Sequence, residues 1–122
     1  MTTRLLLNRL GILGSQCGQG YIECAVSAVQ ADRTLLTAVT GRLYPLVAQR
    51  LGTTSRAVGR GIGRSLECCW EAGDRALLEA VAGRRLKARP YPREFIAMLA
   101  DFVAAWGQET PPSPPAGLGP QS

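Results

Sequence analysis

TTSRAVGRGIGRSLECCW, residues Thr53 to Trp70, alternates Gly59, Gly61 and Gly63 with Arg60, Ile62 and Arg64. It reads either as a glycine-rich loop that cradles a phosphate or as a glycine-weakened helix that presents arginines to something acidic. A phosphate loop needs a strand before it and a helix after it. The preceding segment, YPLVAQRL at 44–51, is helical by its period and by the proline at its start. The glycines are spaced G-x-G-x-G rather than G-x-G-x-x-G, and no G-K-[ST] follows, so the loop reading fails. The helical reading holds. Val58, Ile62, Leu66 and Cys69 recur at four, four and three residues as an apolar stripe, while Arg56, Arg60 and Arg64 recur every fourth residue on another face. Three like charges so spaced repel one another unless an anion meets them, and each interior glycine costs about 1 kcal/mol relative to alanine. A helix with both penalties is held by its neighbours, and Gly61 is a candidate point for another helix to cross.

Outward from this helix, about 54–71, the chain reads as helices between turn signals, with no period-two strand. Thr53 and Thr54 offer hydroxyls to cap it, and Gly52 stops the helix before it, whose expected stripe is Leu46, Val47 and Leu51. Further upstream, Asp32 is an N-cap for RTLLTAVTGRL with Leu35, Leu36 and Val39 inward. A helix over Tyr21–Gln30 buries Ile22, Ala25, Val26 and Val29, and a short first helix is lined by Leu5, Leu6 and Leu10. Downstream, Gly73-Asp74 is a stop and cap before RALLEAVAG. RRLKARPYP is a basic connector, and Pro92 starts a last helix with Phe95, Met98, Leu99, Phe102 and Trp106 on one side. The expected fold class is all-α, a compact bundle of about six helices. Residues 1–19 form a short helix and flexible joint, 20–107 the domain, and 108–122 a disordered proline-rich tail.

With 122 residues, 46% of them hydrophobic, the chain can bury a single core. Its charge is +5, from fourteen Lys and Arg against nine acids, and thirteen of the fourteen are arginine. The guanidinium fork matches phosphate and guanine edges, which leans toward a polyanionic partner. From Arg42 to Arg93 eleven bases stand against four acids, so the basic field lies in the middle of the chain. There is no histidine, and Cys17, Cys24, Cys68 and Cys69 form no C-x-x-C pair. The commonest general base and the usual metal spacings are therefore missing, and the expectation is no enzyme, no metal and no cofactor. The amino-terminal leucines are interrupted by Asn8 and Arg9, too short a run for a signal peptide or membrane span, so a cytoplasmic location is expected.

Helix, short glycine turn, second helix with exposed arginines is the helix-turn-helix pattern, and a solvated basic face on an ordinary bundle is the alternative. LYPLVAQRLGTTSRAVGRGIGRSLECCW and EFIAMLAD resemble the C-terminal effector domain of stage-zero sporulation protein A, the sporulation-initiation response regulator of endospore formers. The likeness runs from about Gly20-Tyr21 to Val103. Its anchors are Leu43-Tyr44-Pro45, Ala48, Thr53-Thr54, Val58, Arg60, Ile62, Glu67, Trp70, Lys87, Pro90 and Glu94 to Asp101.

The resemblance implies an all-helical domain that binds short DNA boxes, often as a tandem dimer, with the second helix of the motif in the major groove. Arg60 stands at a base-contacting arginine of the family, and Arg64 replaces a histidine at a DNA-facing position. Gly59 stands at an acidic residue of the family's reading face and Gly63 at another arginine, so the recognition sequence is expected to differ. Ser55 and Arg56 replace a proline and a serine. The connector from Trp70 to Phe95 is about three residues shorter than in the family, near a region that meets RNA polymerase in the parent regulators. With about twenty residues ahead of the match and Asp32 the first aspartate, control by a phosphate-accepting receiver domain in the same chain is not expected.

The expected function is a sequence-specific DNA-binding transcriptional regulator. Thr53, Thr54, Ser55, Arg56, Arg60, Arg64, Arg50 and Lys87 form the DNA contact, with Arg42 and Arg89 as further phosphate contacts. The expected partners are double-stranded DNA, a second copy on tandem sites and RNA polymerase, with no membrane. The alternative is a protein-interaction module that has lost sequence readout and modulates a full-length regulator.

Overall fold

A computed structural model describes residues 2–12 and 18–106 of the chain. The proline-rich tail and most of the expected flexible joint lie outside the described residues. Within them the chain forms six α-helices and no strand: α1 (Thr3–Arg9), α2 (Gln19–Ala31), α3 (Tyr44–Leu51), α4 (Ser55–Ala72), α5 (Arg75–Ala82) and α6 (Pro92–Trp106). The all-helical expectation holds.

The helix ends follow their local chemistry. Thr2, Thr54 and Asp74 accept backbone N–H groups of Leu5, Ala57 and Leu77 at 3.1, 3.1 and 3.0 Å, capping α1, α4 and α5. Gly52 and Gly83, at φ +68° and +75°, end α3 and α5 in the left-handed conformation that glycine reaches without strain. Pro45 sits in the first turn of α3, and Pro92 opens α6.

α2 is the hub and packs against α1, α3, α4 and α6. Its Ile22, Ala25, Val26 and Val29 are buried as expected, together with Val58, Ile62, Leu66 and Cys69 of α4 and Phe95, Ile96 and Leu99 of α6. The first helix turns differently from its expected stripe: Leu6, Leu7 and Leu10 are buried and Leu5 is exposed. At about 100° per residue the buried three span roughly 100° of the helix, against about 140° for Leu5, Leu6 and Leu10, so the narrower arc faces the core. In α3 the buried face is Tyr44, Val47 and Ala48, with Leu46 half-buried, while Leu51 at the helix end is exposed.

Residues 33–43 depart most from expectation. In place of one helix they form a 3-10 turn (Arg33–Thr37), a break at Ala38 with φ −146° and ψ 63°, and a single wide π turn (Val39–Leu43). Side chains compete here with the helical ladder. The Thr37 hydroxyl donates to the Thr34 carbonyl at 2.7 Å, and Thr34, Thr37, Val39 and Thr40 are all β-branched. Leu35 and Val39 are still buried on either side of the break, and Asp32 does cap the segment by accepting from the Thr34 amide. The hydrogen bonds from Thr34 hold the Asp32 carboxyl below its ordinary range.

Burial pushes the Cys69 thiol up to about 11 from an ordinary 9.0. A thiol raised on folding favours the folded state only while neutral, so that contribution is complete below about pH 9 and is lost as the pH climbs toward 11. Urea midpoints measured against pH are expected to fall from about pH 9 upward. In Cys69→Ala the fall is expected to begin about one unit later, where tyrosine ionises in the unfolded chain while burial still holds Tyr44 neutral in the folded one.

Candidate nucleic-acid interface

α3, the turn Gly52-Thr53-Thr54 and α4 form one unit. Thr53 donates its amide to the Ala48 carbonyl at 2.9 Å, closing α3, and the Thr54 hydroxyl is used by the Ala57 amide. Both threonines therefore fix where α4 begins, and Thr53 and Ser55 are half-buried there. α4 is 18 residues long, about 27 Å. Its buried stripe turns the opposite face to solvent, and that face carries Arg56, Arg60 and Arg64, all exposed. Steps of four residues rise about 6 Å and drift about 40°, so the three guanidiniums make a short, slightly slanted row about 12 Å long.

Charge on this face runs against the helix. Its first turn contains no acid and its last turn no base, while Glu67 and Glu71 continue the face beyond Arg64. A helix start carries about half a positive charge, so Arg56 there and Glu71 at the far end are each on the unfavourable side. Pairing sharpens the contrast. Arg4, Arg33, Arg42, Arg84 and Arg89 reach Glu23, Asp101, Asp32, Glu94 and Glu67 at 3.2, 2.8, 3.7, 3.4 and 3.9 Å. Arg75 folds back on Trp70, 3.5 Å from the ring centroid. Among the described residues Arg9, Arg50, Arg56, Arg60, Arg64, Arg85, Lys87 and Arg93 have no such carboxylate. The unpaired set contains all five cations of the expected site, whereas Arg42 and Arg89 are engaged in ion pairs.

The alternating glycines do three different things. A Cβ on Gly59 would lie 3.1 Å from the Tyr44 ring of α3, so the position expected on a reading face is pressed against its neighbour helix. A Cβ on Gly61 would lie 2.6 Å from the Tyr21 ring, which makes Gly61 the expected crossing point, with α2 as the helix that crosses. At Gly63 a Cβ would meet nothing within 4 Å. Gly63 opens onto a groove of about 920 Å³ whose other wall is the connector with Arg85, Lys87 and Arg89. Lys87 therefore flanks α4 on the Gly63 side, and Arg50 lies at the end of α3. On the opposite flank Tyr21, Ala57, Arg60, Gly61 and Arg64 line a depression of about 210 Å³. Tyr21 was not among the expected site residues, and its one sequence signal was the small residue at Gly61.

Among the described residues no group of three His, Cys, Asp or Glu side chains could hold a metal ion, and no helix is long and apolar enough to cross a membrane. An all-helical domain with a carboxylate-free arginine row on a solvent-facing helix has the outline of a DNA-binding effector domain. The family described as "Sporulation initiation factor Spo0A C terminal" matches residues 3–103, and the chain belongs to that family of DNA-binding sporulation-regulator domains. The match begins within α1, whose leucines share the common core.

Proposed function

We propose that the chain is a sequence-specific DNA-binding transcriptional regulator that lays α4 in the major groove. A helix about 10–12 Å across fits a groove about 12 Å wide. Arg60, at the centre of the row, reads base edges, and Arg56 and Arg64 on either side contact bases or phosphates. Arg50 and Lys87 contact phosphates on the flanks, and Thr53, Thr54 and Ser55 set the depth and angle of the helix. The observation that carries this reading is the row itself: three exposed arginines left without carboxylates, the first of them at the positive end of the helix, in a chain that pairs five other arginines. Gly63 offers no side chain to the DNA, so the recognised sequence differs from that of relatives with arginine there. Two copies on tandem sites, and a contact with RNA polymerase, complete the proposal.

Selection from random duplex DNA at two salt concentrations tests it. A short motif is expected to be enriched, with affinity falling steeply as salt rises. Arg60→Ala is expected to weaken binding about 10- to 100-fold and to relax the motif at the contacted position. The open space at Gly63 favours one other reading, an interaction module that has lost readout. Salt-sensitive binding with no enriched motif, unchanged by Arg60→Ala, is the result that would favour it.

A further inference from the structure

We infer that Tyr21 and the two arginines beside it form a seat for a single DNA phosphate, placing α2 in the interface alongside α4. The inference rests on the reading that α4 lies against DNA. The depression of about 210 Å³ is walled by Tyr21 from α2 and by Ala57, Arg60, Gly61 and Arg64 from α4. It exists because Gly61 has no side chain. A Cβ there would stand 2.6 and 2.7 Å from the ring atoms Cδ2 and Cε2 of Tyr21, so only glycine lets the ring lie this close to the α4 backbone. A glycine inside an 18-residue helix costs about 1 kcal/mol relative to alanine, and here the return is a hollow shared by Tyr21, Arg60 and Arg64.

None of the three polar groups is already spent. The Tyr21 hydroxyl makes no hydrogen bond among the described residues, and neither guanidinium has a carboxylate. Each guanidinium offers five N–H donors and the phenol one O–H, and the three residues line one open hollow. Two guanidiniums and a phenol bordering one concave site suit a tetrahedral anion, which accepts from several donors at once. Arg60, with five donors, gives part of its fork to the phosphate and keeps the rest for a base edge, while Tyr21 and Arg64 fix register on the DNA and carry no sequence information of their own.

The test is binding of the full chain to an enriched duplex, comparing wild type with Tyr21→Phe, Arg64→Ala and Arg60→Ala. Tyr21→Phe keeps the ring that packs on Gly61 and removes only the oxygen. It is expected to melt with wild type and to bind about 5- to 20-fold more weakly. Its salt dependence is expected to stay that of wild type, because a neutral donor displaces no counterion, whereas Arg64→Ala lowers the slope by about one. A scan of single methylphosphonate substitutions is expected to find one position that weakens wild type more than it weakens either Tyr21→Phe or Arg64→Ala. If Tyr21→Phe binds as wild type does, or its methylphosphonate profile matches wild type, while Arg60→Ala is weakened, the seat is refuted and the major-groove reading stands. If Arg60→Ala also binds like wild type, both fall together.

Discussion

Arg56→Glu is expected to raise the melting temperature by about 4 °C while lowering DNA affinity about 100-fold. Arg56 lies in the first turn of α4, where four backbone N–H groups point outward, only one of them taken by the Thr54 hydroxyl. Removing a cation from this end and adding a carboxylate is worth about 0.3–1 kcal/mol for each change. The new acid also stands four residues before Arg60, the favourable order for a helical ion pair, and adds about 0.3–0.5 kcal/mol where there is now repulsion. The gain sums to about 1 kcal/mol or somewhat more. Against DNA the same exchange moves two charge units the wrong way next to phosphate, at about 1–2 kcal/mol each in a partly wet interface. Thermal melts and binding titrations of one preparation read both effects. Unchanged affinity would remove Arg56 from the interface, and a lowered melting temperature would show that its present position is not a strain on the helix.

The opposite signs separate two populations of arginine that composition counts together. Arg4, Arg33, Arg84 and Arg89 tie α1 to α2, the segment after α2 to α6, and the connector to α6 and α4. Such exposed pairs are worth about 0–1 kcal/mol each, yet every one bridges different parts of the chain. The row on α4 bridges nothing within the molecule. A surface shaped only for stability would have put acids at the start of this helix and bases at its end.

Most helix boundaries were legible because their causes are local. The caps at Thr54 and Asp74, the stops at Gly52 and Gly83, and the prolines at 45 and 92 each act within four residues of themselves. The apolar stripe of α4 was legible through its glycines because burial follows the period even where propensity is poor. Residues 33–43 were not, because their hydrophobic spacing suits a helix while the Thr34 and Thr37 hydroxyls take part in rival local bonds. Leu5 and Leu51 were assigned to the core by period alone, which cannot say how far a neighbouring element extends over a helix end. For the candidate site, the spacing gave the arginine row. Which arginines lacked carboxylates, and that Tyr21 joins Arg60 and Arg64, depend on partners 10 to 68 residues away in sequence or on a crossing of two helices.

That crossing predicts the largest loss of stability. Gly18→Ala is expected to cost about 3–5 kcal/mol, a large share of the 5–15 kcal/mol that holds a domain of this size together. Gly18 begins α2 at φ +106° and ψ −22°, where an L side chain is strained by roughly 1–2 kcal/mol. Its added Cβ would also overlap the Ser65 Oγ and the Gly61 carbonyl oxygen. The second of these is backbone in the middle of α4 and cannot swing aside, so α2 must lift away, at about 1–3 kcal/mol for an overpacked contact. Gly63→Ala is the control, since its Cβ meets open space and the helix gains about 1 kcal/mol. Urea unfolding of the two variants is expected to move in opposite directions from wild type. A Gly18→Ala midpoint close to wild type would mean that α2 and α4 do not approach this closely. Lifting α2 also carries Tyr21 off Arg60 and Arg64. The fraction of Gly18→Ala that remains folded is therefore expected to bind DNA no better than Tyr21→Phe, so the close approach that stabilises the core also assembles the phosphate seat.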